Sequence, residues 1–474
     1  MISRSINNRF RQALCAVLLT LTASPGAAMA QAPGEAAFHA MFKEMVETDT
    51  SVVSGDCTAL VAKIDARMKA AGFPAQDLHV FIPPGAPKAG ALVAIYPGRD
   101  PKAKAVLELG HIDVVNAIRA DWVRDPYILM EENGQFFGRG VSDMKAQDAI
   151  WADNLVRYHQ EGYRPRRTIK MALTCGEEGG FLNGANWLAQ NQRELIDAGV
   201  ALTEGGGGDL DARGQKLAVT VMAAEKTFVN AELEVTGAGG HSSRPRPDNP
   251  IYILAQALVN LRRLEFPAEL NAWNRPYFEA LAPRVDSELR QAIETVLTSP
   301  QDPAANAVLN RSVTYHAVLR TTCIPTLIDG GHAPNAQPQR VRVTVNCRTL
   351  PGASIEALKA AIVTAVDNPQ VKVSVTVPAP RPLGPVLTPA VMDPIRTVAA
   401  QVYPGVPVTP MQETFGTDAG YLNAVGIPTY GFSALFRGDD AGNIHGLNEH
   451  ISIQSVMDGR AFMYRLIKLY ADQK

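Results

Sequence analysis

Cysteine is scarce in this 474-residue chain: Cys15, Cys57, Cys175, Cys323 and Cys347 are the full set, and no two stand in a C-x-x-C spacing. That argues against a cysteine metal site. An oxidising compartment permits disulfides, but four scattered cysteines beyond Cys15 define no framework. Cys323 with Cys347 is one pairing, and four free thiols is the alternative. An excess of one charge is also missing. With 45 basic and 47 acidic residues the formal net charge is -2, so no global field favours nucleic acid or an anionic membrane. Partners are therefore expected to be local and small. A run of roughly 20 apolar residues, the length that spans a bilayer, is lacking too. The shorter run "ALCAVLLTLTA" follows Arg4, Arg9 and Arg11 and precedes "AAMA" at 27 to 30. That order reads as an export signal with cleavage near Ala30. Cys15 opens the run rather than following it, which argues against a lipid-anchored cysteine. The expected mature chain starts near Gln31 and is periplasmic or secreted.

What is present is a large apolar content, 46%, enough for a sizeable core and for two domains rather than one. Residues 36 to 71 carry a helical pattern. "ALVAIYPG" and "AVLELGHIDVV" read as short buried strands, 146 to 160 as a helix, "TIKMALTC" as a strand, "GANWLAQNQREL" as a helix and "GVALTEGGGG" as a strand. Such alternation predicts an α/β fold with a mostly parallel sheet sandwiched by helices. After residue 224 the texture changes. "TFVNAELEVTGAGGHSS" reads as a strand and turn, 250 to 265 and 278 to 298 as helices, and "QRVRVTVNCRTLPG" and "VKVSVTV" alternate cleanly. This suits an inserted α+β domain over 225–378, between catalytic segments at 31–224 and 379–474, with 1–30 as the signal. The proline-rich "PAPRPLGPVLTP" reads as the return linker.

Polar residues punctuate the apolar runs of the outer segments. His111 and Asp113 stand two apart at a strand end, Asp143 lies in a glycine-bearing loop before a helix, and Glu177 and Glu178 follow "TIKMALTC". Glu204 follows "GVALT", and His445 lies in "GNIHGLNEH". Singly, each has an ordinary reading: a satisfied buried histidine, a helix cap, a solvated turn, a loop histidine. Jointly they match a different need. Two zinc ions about 3.5 to 4 Å apart require a bridging carboxylate, further nitrogen or oxygen ligands, and a position open to water. His111, Asp143, Glu178, Glu204 and His445 supply two imidazoles and three carboxylates, and one further carboxylate is then needed as a base.

The motifs "GHIDVV", "GRGVSDMK", "CGEEGG", "TEGG", "GAGGHSSRP", "NAQP", "CRTLPG" and "HGLNEH" resemble, in order, those of the co-catalytic zinc peptidases that include glutamate carboxypeptidase, aminoacylase, succinyl-diaminopimelate desuccinylase and carnosine dipeptidase. The extra length between 265 and 320 resembles the larger carboxypeptidase S-like and fatty-acyl-amino-acid hydrolase branch. The resemblance implies two Zn2+ per chain, with Co2+ or Mn2+ as substitutes. It puts Asp143 as the bridge, His111 with Glu204 or Glu178 on one ion, and His445 with the other glutamate on the second. The preferred pairing is His111 with Glu204 and His445 with Glu178. Asp113 would hydrogen-bond His111 and fix its tautomer, and Glu177 would be the general base. In the inserted lid and dimerisation domain, His241 would stabilise the developing oxyanion, across a dimer interface in some arrangements. Arg348 would engage the substrate carboxylate, with Asn335 beside it. The implied reaction cleaves the amide before a C-terminal amino acid with a free carboxylate, in a peptide or an N-acyl amino acid. Asn346 and "HGLNE" depart from the family's usual acidic residue and "HGPNE". Two competing readings are a peptide-binding relative without catalysis, which retention of Glu177 opposes, and an aminopeptidase on a related sheet, which Arg348 opposes.

Overall fold

The runs Val106–His111, Ile169–Thr174 and Val200–Thr203 are apolar on both faces, and the fold uses them as neighbouring parallel strands at the centre of a ten-stranded sheet. Every residue of the three is buried, as a parallel sheet with helices on both sides requires. The computed structural model describes residues 34–180, 182–377, 383–438 and 440–474. The export segment with Arg4, Arg9, Arg11, Cys15 and Ala30, and residues 378–382 of the proline-rich linker, lie outside the described residues.

The sheet runs, in spatial order, Leu78–Phe81, Ala91–Tyr96, Ile169–Thr174, Val106–His111, Val200–Thr203, Thr429–Gly431, Lys216–Glu225, Gly207–Leu210 and Phe436–Arg437, with Val408–Glu413 parallel to Lys216–Glu225. Antiparallel pairs enter at the Leu78–Phe81 edge and around Lys216–Glu225. One face packs on the helices Glu35–Val46, Cys57–Ala70, Lys145–Gln160 and Ile453–Asp472. The other packs on Gly184–Asn191 and Ala419–Ala424, through Ala185, Leu188 and Leu422 against Leu107, Leu109 and Ala201. Gly110 decides how near the Lys145–Gln160 helix can come. A Cβ there would stand 1.9 Å from Asp148 Oδ1 and 2.9 Å from the Trp151 ring, so only glycine lets this helix, and the loop before it that carries Asp143, approach the end of the His111 strand.

Residues 227 to 376 build a second sheet, antiparallel throughout, in the order Thr322–Gly330, Arg340–Thr349, Thr227–Thr236 and Lys372–Thr376. Val341, Val343 and Val345 alternate inward with Val229, Ala231, Leu233 and Val235, and the helices Pro250–Leu261 and Ile355–Val366 cover that face. The helices between 274 and 319 do not join this core. They form their own, with Leu217 and Met411 of the large sheet.

Local order departs from the sequence pattern at several places. The expected helix over 36 to 71 is two helices, Glu35–Val46 and Cys57–Ala70, the second capped by Asp56, which accepts from Ala59 N. The expected helix over 278 to 298 breaks at Pro283 into Asn274–Leu281 and Ser287–Thr298, because proline lacks the donor an inner turn needs. Lys216–Glu225, unread as a strand, is a ten-residue one buried along nearly its whole length, so it shows no polar alternation to announce it.

Cysteine pairing takes the disulfide reading and extends it. Cys323 faces Cys347 across paired strands and is bonded to it, and Cys57 is bonded to Cys175. The second bond closes a separation of 118 residues and fastens the first turn of the Cys57–Ala70 helix to the chain two residues before Glu177. Replacing Cys57 and Cys175 together by alanine is expected to lower unfolding free energy by about 2–4 kcal/mol, read as a lower denaturant midpoint. An unchanged midpoint would contradict a stabilising role for this bond.

Candidate metal centre

The three central strands end side by side, and each ends on an ionisable group. Ile169–Thr174 leads to Glu177 and Glu178, Val106–His111 ends on His111, and Val200–Thr203 leads to Glu204. Carboxyl ends of parallel strands are where such sheets gather their polar groups, and adjacent strands lie about 4.8 Å apart. His111 therefore stands between the two sources of glutamate. After Ile169–Thr174 the chain turns sharply at Gly176, whose φ is 96°; a Cβ there would lie 2.0 Å from Leu182 O. This turn aims the glutamate pair back at the strand ends.

Asp143 arrives from the loop before the Lys145–Gln160 helix, and the Asp143–Met144 peptide is cis. Its two oxygens face two imidazoles: Oδ1 is 3.2 Å from His111 Nε2, and Oδ2 is 3.1 Å from His445 Nε2. His111 Nε2 is 3.7 Å from Glu204 Oε1, while His445 Nε2 is 3.0 Å from Glu178 Oε1. Glu177 joins from the other side: one donor atom each from His111, Glu177 and Glu204 lie within 4.8 Å of one another, as do those of His111, Asp143 and Glu178. His111 is buried, and His445 is half-exposed at the mouth.

Asp113 meets His111 through its backbone carbonyl rather than its carboxylate. His111 Nδ1 lies 3.1 Å from the Asp113 carbonyl oxygen, whereas the carboxylate is 3.8 Å away. The carboxylate is turned instead to the 176–178 turn, where it accepts from Glu178 N at 3.0 Å and Glu177 N at 3.4 Å. The carbonyl contact has the same electronic result. A carbonyl only accepts, so Nδ1 carries the hydrogen and the Nε2 lone pair faces the cluster.

The charges in this corner do not balance by themselves. Burial pushes Glu177 and Glu178 above the usual carboxylate range, Glu177 further through the nearby charge of Glu204. Burial pushes Glu204 up to about 7. Burial also opposes ionised Asp143, but hydrogen bonds from His111 and His445 outweigh it and hold the carboxyl far below its ordinary value. His445 is raised to about 10 by its bonds to Asp143 and Glu178, and His111 is raised well up by Glu204 and Asp143 against the burial that lowers it. A bound cation would supply the counter-charge that these carboxylates call for. One atom tests the fit directly. His111 Nε2 is buried 3.2 Å from Asp143 Oδ1 and 3.7 Å from Glu204 Oε1, and a ring nitrogen among carboxylate oxygens is a donor set for a divalent ion such as zinc.

His241, Arg348 and Asn335 lie outside this cluster, in the second sheet's unit. His241 is exposed, its Nδ1 accepting from Ser243 N at 3.2 Å, and Ser242 N donates to Asn335 O at 3.0 Å. Arg348 lies over the Phe228 ring at 4.7 Å, with Nε donating to Asn346 Oδ1 at 3.2 Å. Asn346, noted in the sequence as a departure, is thus this arginine's neighbour. Sequence reasoning missed Arg139, Arg437 and Glu449, which hold the loops of Asp143 and His445; "GRGVSDMK" and "HGLNEH" contain Arg139 and Glu449, while Arg437 lies outside the motifs, and nothing in a motif says which backbone a side chain will grip.

A carboxylate and imidazole cluster at the strand ends of a helix-covered sheet is the centre of a metal-dependent hydrolase. Residues 109–469 match Peptidase family M20/M25/M40, and the chain belongs to that family. It is 26% identical, over 379 residues, to human N-fatty-acyl-amino acid synthase/hydrolase PM20D1, a match covering 78% of this chain and 75% of that protein. Its fold is similar to the M20 family metallo-carboxypeptidase Sso-CP2 from Sulfolobus solfataricus, with TM-score 0.67 and 18% identity over 92% of this chain and 99% of the other. It is also similar to the YXEP protein of Bacillus subtilis, described as a dinuclear metal binding peptidase, with TM-score 0.53 and 11% identity over 91% and 98%.

The pH dependence of the metal-free protein follows from two of these shifts. A raised His445 stabilises the fold below about pH 6.5, its unfolded value, and that contribution is lost as pH rises towards about 10. Glu204, raised to about 7, adds a penalty that grows from its unfolded value of about 4.3 up to that pH. Both signs agree. The melting temperature of chelator-treated protein is expected to fall from pH 5 to pH 9, and added Zn2+ to restore more of it at pH 9 than at pH 5. A metal-free melting temperature that rises over this range would contradict the assignment.

Proposed function

We propose that the chain is an exported two-zinc hydrolase that cleaves the amide bond before a C-terminal amino acid with a free carboxylate, in a peptide or an N-acyl amino acid. The observation that carries this reading is the carboxylate of Asp143 held between His111 and His445, each with a glutamate of its own and with Glu177 at hand. The nitrogen and oxygen donor set suits zinc, and tolerates Co2+ or Mn2+. His111, Glu204 and Asp143 would hold one ion, and His445, Glu178 and Asp143 the second. Bound there, the ions supply a Lewis acid for the carbonyl and lower the pKa of a water. Glu177 would take a proton from the attacking water and return it to the leaving nitrogen. Asp113 holds the turn of Glu177 and Glu178 through their backbone N–H groups.

The substrate side rests on the second unit. His241 is assigned to the developing oxyanion, and Arg348 with Asn335 to the substrate carboxylate, which a forked guanidinium suits. The name of the human relative, an N-fatty-acyl-amino acid synthase/hydrolase, and the metallo-carboxypeptidase title of the Sulfolobus protein support a C-terminal amino acid as the shared element. The edge strand Thr322–Gly330, with Ile324, Leu327 and Ile328 more than 60% exposed, supports a homodimer through this unit. Two disulfides support an oxidising destination. Among the described residues no helix is long and apolar enough to cross a membrane.

Two experiments test the roles. Glu177→Ala is expected to keep its metal while kcat falls by roughly 10²–10⁴, whereas Glu178→Ala is expected to lose metal; the reverse outcome would exchange the two roles. In a screen of dipeptides and N-acyl amino acids, C-terminal amidation is expected to lower kcat/KM by about 10- to 150-fold, the equivalent of one charged hydrogen-bond anchor. Equal cleavage of the amidated forms would remove Arg348 from the carboxylate.

A further inference from the structure

We infer that Glu449 is a positioning residue that sets Asp143 in place and locks the loop of His445 to it; the inference rests on the two-metal reading above. Glu449 is fully buried, yet its side chain touches neither imidazole of the cluster. Its Oε2 accepts from Arg139 Nη1 at 2.8 Å and Gly140 N at 2.9 Å, and its Oε1 accepts from Ser142 N at 2.8 Å and Asp143 N at 3.0 Å. One carboxylate thus occupies the whole turn that delivers Asp143, with three backbone N–H groups and a guanidinium as donors.

The same residue belongs to the loop that carries His445. Gly138 N donates to Glu449 O at 3.1 Å, and Arg139 Nη2 donates to Gly446 O, beside His445, at 2.9 Å. Arg437 completes the tie, with Nε on Ser142 Oγ and Nη2 on Ser142 O, both at 2.9 Å. The His445 loop needs holding. Ala441, Asn443, His445 and Asn448 all have φ between 49° and 62°, a region non-glycine residues enter only when their surroundings impose it. Through Glu449 the two loops share one network, so Asp143 and His445, 3.1 Å apart, keep their spacing as a unit. A glutamine has the same shape but only one accepting oxygen. In its place, one pair of donors would face an amide NH2 and lose its bonds, and the Asp143 backbone would drift from the point where both its oxygens face an imidazole.

The test uses the full chain loaded with Mn2+, whose paired ions give an exchange-coupled electron paramagnetic resonance signal when one carboxylate bridges them. Glu449→Gln is expected to stay folded, to lose that signal in favour of isolated Mn2+, and to lose kcat by about 10- to 100-fold with KM nearly unchanged. The control is Asp153→Asn, which breaks another buried ion pair, that of Arg460 Nε with Asp153 Oδ2 at 2.7 Å, away from both loops; it is expected to lower the melting temperature and leave the coupled signal intact. An unmoved signal and kcat in Glu449→Gln would overturn the inference. So would loss of signal in both variants in step with their melting temperatures, since that is what a merely structural role produces. If Glu449→Gln does not fold, Arg139→Lys decides: it keeps the charge but loses the bridge to Gly446 O, and a weakened coupled signal supports the inference while an unchanged one overturns it. A wild-type enzyme without any coupled signal would instead defeat the two-metal reading itself.

Discussion

Two imidazoles meet opposite oxygens of one carboxylate, and the rest of the molecule is arranged around keeping them there. Asp143 stands 3.2 Å from His111 and 3.1 Å from His445, although these residues come from a loop, a central strand and a distant C-terminal loop. Each approach has its own cause. Gly110 admits the Lys145–Gln160 helix, the parallel order of three strands sets His111 between two glutamate-bearing ends, and the Glu449 carboxylate fastens the C-terminal loop to the loop of Asp143.

This concentration of charge is unfavourable without a counter-charge. Asp113, Asp143, Glu177, Glu178 and Glu204 are buried or half-buried in one corner, where each carboxylate makes its neighbours harder to ionise. A protein selected for stability alone would replace such groups with apolar ones. Their grouping around the buried His111 ring nitrogen is the kind of local cost that functional sites carry. The surrounding fold offsets it with continuous apolar burial on both faces of the sheet and with a disulfide two residues before Glu177.

Much of this was legible in the sequence because strand ends are. Apolar runs that stop abruptly on His111, Glu177 or Glu204 mark both an element boundary and a polar group facing one side, and the α/β alternation followed from the same runs. What was not legible depends on tertiary approach. Glu449 reads as the end of "HGLNE", and only the folded chain reveals that it grips backbone N–H groups 306 to 309 positions away. Asp113 has the spacing of a histidine partner, yet its carbonyl makes that contact while its carboxylate serves another turn. Cys57 and Cys175, 118 positions apart, carry no local sign of pairing. The helices from 274 to 319 read as part of the inserted region by position; their apolar faces pack on one another and on Leu217 and Met411.

The central claim is that Asp143 bridges two metal ions rather than balancing two protonated histidines. Crystals of the zinc-loaded protein, measured on both sides of the zinc absorption edge, address it most directly. The account requires two anomalous peaks about 3.5 to 4 Å apart, one beside His111 and Glu204 and one beside His445 and Glu178, with Asp143 between them. A single peak, or two that do not share Asp143, would contradict it.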